Sequence, residues 1–492
     1  MSGLDSPARE TGSSSKENRQ QPVEGNSTSE SDAQESDIAD TVEAFNEPDR
    51  EKIGESQTPV VEPRLERIMT GFFSDRVRDV RKRLVVQFFL NHLALALLIM
   101  SVFSLYWGAI YNRSSHFHKV SILAVLQDDG PLSQPLPSLI DTVPGHWHIY
   151  NASSFMEKYH VSESQVDSRI TKLVHEQKYW MSLNVKPNAS NVLQDSLQNP
   201  SALPFNASAF FETVYESGRD PTNMKSSILP LMLQLEAKYQ AAYSSSILPT
   251  IFANVSDSLG KVPKVNVAQA GSMLFSQIDY RPFDNFVLLG PLQVGLIYCI
   301  LLTFFQLLLF SPMHAEFGQK LKVGHMLLYR LLVSYLNYLF LSLFFCLVSL
   351  AFQVDFGRTY GRSGFMVAWM SSWLLMAAVG GANENMLTLV LAVAPRFPGF
   401  WMIIWVVFNI TPSFFPMDLT SNFYRYGYMT PIFNGVGIFR VIFLNLYPGA
   451  MGRYFGVLCA WIVVNILFFP VCAKIFATQK MKKEALAREA QK

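Results

Sequence analysis

The chain has 492 residues, enough for two or three domains, and 49% of them are hydrophobic. Its formal net charge of +1 gives no global field of the kind that indicates a nucleic-acid-binding protein. The hydrophobic residues are concentrated in separate runs, and nearly everything in residues 286–477 is apolar. This segregation excludes most soluble enzymes and predicts a protein embedded in the lipid bilayer.

The amino-terminal segment is acidic. Residues 1–62 contain fifteen acidic and five basic residues and almost no aromatic residues. Such a segment cannot bury enough apolar area to offset chain entropy, so we predict a disordered cytosolic tail. It is either a phosphorylated sorting tail or a solvated tail without a specific task. The basic juxtamembrane segment that follows, residues 63–86, places this end of the chain in the cytosol by the positive-inside tendency.

The first hydrophobic run, residues 87–111, is long enough to cross a membrane as a helix. It begins too far from the amino terminus for a cleaved signal peptide, so we predict an uncleaved signal anchor. The polar residues 112–285 then form a lumenal or extracellular domain. Five Asn-x-Ser sequons in that segment agree with this placement. They begin at Asn112, which is too close to the membrane for use, and at four predicted glycosylation sites, Asn151, Asn188, Asn206 and Asn254.

The exterior segment has the patterning of a mixed α/β domain. Its apolar spacing predicts strands near residues 120–126, 147–150, 179–185 and 210–215, and helices near 163–177 and 224–252. None of the four cysteines lies in this segment, so the domain must be held together by its own hydrophobic core.

Residues 286–477 form a bundle of five further spans, followed by a basic cytosolic tail, residues 478–492. The fold class is therefore a multi-span α-helical membrane protein with six spans, arranged 1+5. The cytosolic turn between the fourth and fifth spans lies either at 383–385, which the pattern favours, or at the prolines of 395–398. Residues 416–450 form an exterior shelf or a re-entrant helix.

The triplet Asn383, Glu384 and Asn385 is the first candidate for a substrate path. A carboxylate near the membrane is expensive unless it is paired or hydrated, so Glu384 could relay a proton or contact a cationic substrate. Alternatively, the triplet caps the fifth helix at a cytosolic turn. Arg330 and Arg396 could pair with Glu384, or could extend to the cytosolic interface.

A second candidate group lies on the exterior side. Tyr424, Arg425, Tyr426 and Tyr428 could form a cation–π and hydrogen-bonding gate, or the tyrosines could serve as ordinary interface anchors. Gln293, at the head of the second span, is a further polar residue that faces either a substrate or a neighbouring helix.

Catalytic and cofactor-binding motifs are absent from the sequence. The pairs His116-x-His118 and His146-x-His148 lack a third ligand for a metal, and no phosphate-binding P-loop occurs. We therefore predict that the protein is not an enzyme, that it holds no cofactor or metal and that it binds no nucleic acid. Any pumping would use a gradient or a separate energy-coupling partner.

Several motifs resemble the fungal nitrosoguanidine-resistance protein family, built around a domain of unknown function. The resemblance covers roughly residues 85–480 and rests on the 1+5 layout and on three motifs, Phe286-Val287-Leu288-Leu289-Gly290-Pro291-Leu292-Gln293-Val294-Gly295, Asn383-Glu384-Asn385 and Phe423-Tyr424-Arg425-Tyr426-Gly427-Tyr428-x-x-Pro431. The layout is also similar to the membrane half of type-2 ABC exporters and to phage-infection-protein-like membrane proteins.

The resemblance implies resistance to toxic compounds, by export or by an effect on how drugs or lipids cross the membrane. It implies a plasma-membrane location first and an endosomal or vacuolar membrane second, and by analogy a homodimer. The alternative is a membrane scaffold or adaptor whose exterior domain and acidic tail bind partners.

Overall fold

A computed structural model describes residues 72–489, apart from the side chain of Asp257. The chain divides into two units, Met1–Asp79 and Val80–Lys492. In the first unit, the Ser74 hydroxyl accepts a hydrogen bond from the backbone nitrogen of Arg76 and so caps a short 3-10 turn. The predicted acidic tail, residues 1–62, lies outside the described residues. The second unit contains the α/β domain and the membrane bundle.

The first predicted span is one long helical run. It is built from α1 (Arg78–Leu98), a π-helical turn (Ile99–Phe103) and α2 (Ser104–Ile110). The whole run, Asp75–Ile110, contains a stretch with a mean hydropathy of 2.1 and includes most of the predicted span. Most of its large apolar side chains are exposed, as expected of a helix that faces lipid. The Tyr424 hydroxyl donates to the Leu105 carbonyl oxygen at 2.8 Å and ties this helix to the rest of the bundle.

The predicted α/β domain follows directly. Its five strands are β1 (Ser121–Leu126), β2 (His146–Asn151), β3 (Met181–Val185), β4 (Phe211–Tyr215) and β5 (Ser276–Asp279). They form one sheet in the order β2-β1-β3-β4-β5. The β3–β4 pair is antiparallel, and the other three pairs are parallel. The four predicted strands are confirmed. Strand β5 was not predicted, because it is a short, largely polar edge strand.

Helices cover both faces of this sheet. They are α3 (Leu136–Ile140), α4 (Ala152–Tyr159), α5 (Val166–His175), α6 (Ala189–Gln198), α7 (Ala207–Phe210), α8 (Pro221–Asn223), α9 (Leu229–Ala242), α10 (Leu248–Asn254), α11 (Ser256–Leu259) and α12 (Lys264–Ala270). In β1, Ile122 and Ala124 enter the larger core, while Leu123 and Val125 enter the core beside α4 and α5. Successive strand side chains point to opposite faces, so a strand buried on both faces reads as an unbroken apolar run.

The membrane bundle follows the sheet. Its helices are α13 (Gly295–Lys320), α14 (Val323–Ala351), α15 (Gly357–Tyr360), α16 (Gly364–Val393), α17 (Pro398–Phe414), α18 (Pro431–Leu444) and α19 (Met451–Glu489). Five helical runs in the described residues are long and apolar enough to cross a membrane: Asp75–Ile110, Phe286–Lys320, Val323–Ala351, Gly357–Val393 and Pro448–Glu489. Helix α17, with 17 residues, is shorter than these five runs.

Helix α16 lies at the centre of the bundle and packs against α13, α14, α18 and α19. Small residues allow this close approach. A Cβ added at Gly380 would lie 2.5 Å from the Tyr338 ring, and one added at Gly381 would lie 2.8 Å from the Asn465 amide. Small residues at helix contacts are the usual means of close packing in membranes.

The favoured position of the turn between the fourth and fifth spans, at 383–385, is wrong. Residues 383–385 lie inside α16 and are buried, and the chain turns instead at 394–397, between α16 and α17. Proline has no backbone N–H and disfavours helix in the residue before it, so Pro395 and Pro398 account for the break. The polar triplet does not end the helix because each of its side chains finds a partner inside the bundle.

The predicted shelf at 416–450 contains two helical pieces that meet at a bend. A 3-10 segment, Asn422–Met429, meets α18 at an angle of 74°. Before it, Asp418 accepts a hydrogen bond from Trp180 of the α/β domain at 2.8 Å. After α18, the Asn445 carbonyl oxygen accepts one from Arg281 of the same domain at 2.8 Å. The shelf therefore enters and leaves the bundle on the side that carries the α/β domain, here called the domain side.

Candidate functional site

The three residues of the polar triplet point to three different helices. Neighbouring residues on an α-helix are about 100° apart, so three in a row cover more than half of its circumference. The Asn383 amide donates to the Ile300 carbonyl oxygen and to the Thr303 hydroxyl of α13, both at 3.0 Å. The Asn385 amide donates to the Asn465 carbonyl oxygen of α19 at 2.9 Å.

Glu384 faces α14, where it meets two partners. Arg330 Nη2 lies 3.0 Å from Glu384 Oε1, and the Ser334 hydroxyl donates to Glu384 Oε2 at 2.8 Å. The side chains of Arg330 and Glu384 are only 15% and 4% exposed. Arg330 also covers the Phe469 ring of α19, with its guanidinium carbon 5.0 Å from the ring centroid. Of the two alternatives for Arg330, pairing with Glu384 is therefore the one that the structure shows, and extension to the interface is wrong. Arg396 is exposed at the turn.

This group, called here the α16 polar network, is not fully hydrogen-bonded. Arg330 Nε and Glu384 Oε1 are buried without an aligned hydrogen-bond partner, although the two charged groups lie within ion-pair distance. A void of about 10 Å³ adjoins Glu384, Tyr338 and Asn465. That is about the space of one water molecule, so the network could hold a water or move a proton but has no room for a larger substrate.

Several members of the network, including Ser334 and Trp401, were not predicted from the sequence. Ser334 lies four residues after Arg330, so the helical repeat places both on the same face of α14. The Trp401 indole of α17 donates to Asn383 Oδ1 at 3.1 Å. The spacing of Arg330 and Ser334 was a usable signal, but contacts between helices distant in sequence, such as that of Trp401, leave no local pattern.

The structure places the Tyr424, Arg425 and Tyr426 group outside the α16 polar network. Tyr424 is buried against α2, and the Tyr426 ring stacks on Phe408 with centroids 4.5 Å apart. Arg425 is exposed, and Arg453 instead stands over the Tyr428 ring at 5.1 Å. The two tyrosines thus act here as packing residues on the domain side.

Gln293 also lies on the domain side, in the π-helical turn Gly290–Val294 at the head of α13. Its amide nitrogen lies 3.4 Å from the Thr222 hydroxyl of the α/β domain. Gln293 therefore links the domain to the bundle rather than facing the α16 polar network.

The predicted glycosylation sites all lie on the α/β domain. Asn151, Asn188, Asn206 and Asn254 are exposed, and so is Asn112 at the end of the first span. Asn151 and Asn206 use their side-chain oxygens to accept backbone hydrogen bonds at the starts of α4 and α7. Glycosylation takes place on the amide nitrogen, which these caps leave free.

Comparison with known proteins gives a family but no activity. Residues 91–467 match the family described as "Protein of unknown function (DUF3533)". The chain is 41% identical over 433 residues to the uncharacterized endoplasmic reticulum membrane protein YJR015W of Saccharomyces cerevisiae, a match that covers 85% of each chain. No solved structure matches the chain.

Proposed function

We infer a function from the premise that the chain belongs to the DUF3533 family of uncharacterized proteins. We propose that it is a membrane transporter or a facilitator of drug or lipid movement, and that it thereby confers resistance to toxic compounds of the nitrosoguanidine type. In this proposal the chain has six spans, with α17 as the fifth, both termini in the cytosol and the α/β domain outside.

The observation that carries the proposal is the ion pair between Arg330 and Glu384. Ionisable groups inside a membrane bundle are costly, and they commonly mark ion or substrate pathways. A pair with unused hydrogen-bonding atoms beside a void of about 10 Å³ can exchange its partner for a proton, a water or a cationic cargo. The described state is then the closed one, and transport requires α14 and α16 to separate near the pair.

Energy would come from a gradient or from a separate partner. A proton gradient acts directly on a carboxylate that is paired in one state and protonated in the other. As in the type-2 ABC exporters that the layout resembles, the chain would work as a homodimer, with any energy-coupling partner supplied by another chain.

The proposed location is an endomembrane, with the endoplasmic reticulum first. The yeast relative is named as a protein of that membrane. The plasma membrane, which the family resemblance implies first, stays a prediction. Fluorescent tagging at the carboxyl terminus, compared with markers of both membranes, decides between them.

The test of transport is reconstitution of the full chain in liposomes. We expect it to move a cationic dye or a fluorescent phospholipid across the bilayer, with a rate that responds to an imposed pH gradient. Glu384→Gln should abolish the response to the gradient. Glu316→Gln, the same change at an exposed position of α13, should leave it intact. Failure of the wild-type protein to move either probe, with or without the gradient, would rule out the transporter version.

The second candidate is a scaffold, and one observation favours it. The described bundle holds no chamber beside Glu384 larger than about one water, so the network could serve only to fix the helices. Deletion of residues 1–62 discriminates between the candidates. A scaffold should lose partner binding and its resistance phenotype more severely on this deletion than on Glu384→Gln, and a transporter should show the reverse.

A further inference from the structure

A second polar centre lies on the domain side, where the α/β domain meets the shelf, including α18, and the start of α19. It is a cavity of about 210 Å³, lined by side chains from all three of these parts. Pockets for drug-sized ligands are usually about 300–1,000 Å³, so this cavity fits a smaller group. Phe415, Phe433 and Val436 give it an apolar wall.

Three arginines from separate parts of the chain converge on the cavity: Arg219 before α8, Arg440 in α18 and Arg453 in α19. Two carboxylates, Asp220 and Asp418, also line it, which leaves an excess of one positive charge. Such convergence of cations from distant segments does not follow from any local sequence pattern.

Both carboxylates already have other partners. Asp220 Oδ1 accepts hydrogen bonds from the backbone nitrogen and the amide of Asn223, each at 2.9 Å, and so caps α8. Asp418 Oδ2 accepts one from the Trp180 indole at 2.8 Å. These contacts use one oxygen of each carboxylate, so fewer acceptor positions remain for the arginines.

The arginine side chains correspondingly have few hydrogen bonds to these carboxylates. Arg440 Nη2 lies 3.8 Å from Asp220 Oδ2, beyond hydrogen-bond distance, and Arg440 Nε is buried with no hydrogen-bond partner in the described chain. Arg219 stacks on the Trp180 ring at 3.6 Å and donates to the Tyr179 carbonyl oxygen at 2.8 Å. Burial lowers the pKa of Arg219 to about 10, so its charge persists at neutral pH but is poorly solvated.

Arg453 marks the mouth of the cavity. It is exposed and stands over the Tyr428 and Tyr454 rings at 5.1 and 5.2 Å. Tyrosine and arginine side chains are typical of the membrane interface, where lipid headgroups lie. A ligand that approaches from a headgroup layer on the domain side would meet Arg453 first.

We propose that this cavity binds the phosphate of a phospholipid headgroup, with Arg440 as the main ligand, Arg219 and Arg453 beside it, and the apolar wall against the glycerol part of the lipid. Arginine forks match phosphate oxygens in geometry and bind them through charge-assisted hydrogen bonds. The same chemistry would recognise a soluble phosphate, so the test separates the two sources. Headgroup binding would hold whether or not the bundle transports anything, because it depends on no residue of the α16 polar network.

The experiment measures binding to the full-length purified protein in detergent, by native mass spectrometry and a titration. The probes are dioctanoyl phosphatidic acid, dioctanoylglycerol, which lacks the phosphate, and inorganic phosphate. We expect saturable binding of the phosphatidic acid and much weaker binding of the other two. Arg440→Gln should raise the dissociation constant for the phosphatidic acid at least about tenfold, because it removes a charged hydrogen-bond donor.

Arg453→Gln, at an exposed position that should tolerate change, is the second variant and should weaken binding several-fold. Arg425→Gln is the matched control, since this residue is exposed on the same shelf outside the cavity. Unchanged affinity in both cavity variants, or an equal loss in the control, overturns the proposal. If inorganic phosphate binds as tightly as the phosphatidic acid, and its binding depends on Arg440, the cavity recognises a soluble phosphate and the proposal of a lipid ligand is overturned.

Discussion

Single side chains hold the bundle together at its centre. Asn383, Glu384 and Asn385 each serve a different neighbouring helix, so one turn of α16 fixes the positions of α13, α14 and α19. Amide hydrogen bonds between membrane helices contribute about 0.6–2 kcal/mol each. An ion pair differs, because loss of one partner leaves a buried charge without compensation.

This difference gives a prediction for stability. Arg330→Gln alone and Glu384→Gln alone should each lower the free energy of unfolding, by up to about 3–5 kcal/mol. The double variant should be closer to the wild-type protein, because two amides leave no charge to bury. Thermal unfolding in detergent measures all three. Single variants that unfold like the wild type would contradict a buried, paired charge.

In the α/β domain, Glu216 gives a prediction for pH. Its carboxylate accepts a hydrogen bond from His175 Nδ1 at 2.7 Å and is almost fully buried. Burial raises the pKa of Glu216, and the nearby His175, Arg219 and Arg281 only partly oppose the rise. A carboxyl group with a raised folded-state pKa binds more protons folded than unfolded. Its contribution to stability therefore falls as the pH rises from about 4.5 through the raised pKa.

Glu216→Gln removes this titration. We expect the variant to lose less stability than the wild-type protein between about pH 4.5 and neutral pH, because no buried carboxyl has to ionise. Thermal unfolding of the full chain across that range is the measurement, with Glu163→Gln, an exposed change in the same domain, as the control. Parallel pH profiles for the wild type and Glu216→Gln would contradict the assignment.

Among the elements, the helices and strands with strong apolar patterns were predictable and the polar interruptions were not. The runs that form β1 and the first span show in the sequence because burial or lipid selects apolar residues throughout. The triplet 383–385 has the polar composition of a turn, and local sequence cannot show that its partners lie some 50 to 80 residues away. The prolines at 395 and 398 were the more direct physical signal, since proline breaks a helix by its own geometry.

The contact between α14 and α16 gives a prediction at this scale. Gly380→Ala would place a methyl group against the buried Tyr338 ring and should cost about 1–3 kcal/mol of stability through overpacking. Gly324→Ala, where the space is open, is the control and should have little effect. Equal unfolding temperatures for the two variants would mean that the helices do not meet as described.

For the whole molecule, the orientation in the membrane is the main prediction. The α/β domain carries four exposed sequons, and the basic flanks predict that it lies opposite the cytosol. Expressed in a eukaryotic host, the chain should lose apparent mass on endoglycosidase treatment. Each of the variants Asn151→Gln, Asn188→Gln, Asn206→Gln and Asn254→Gln should remove one step of that shift. A chain unaffected by the enzyme would contradict a lumenal or extracellular domain.

In the proposed transport cycle, the α16 polar network opens to water while the protein moves its cargo. Ser334→Cys, introduced after replacement of the four native cysteines, puts a thiol beside Glu384. In liposomes with cargo and a pH gradient, a charged, membrane-impermeant thiol reagent should label this position, and should spare the lipid-facing control Leu336→Cys. A protein that moves cargo at the wild-type rate while Ser334→Cys stays unlabelled would contradict the account.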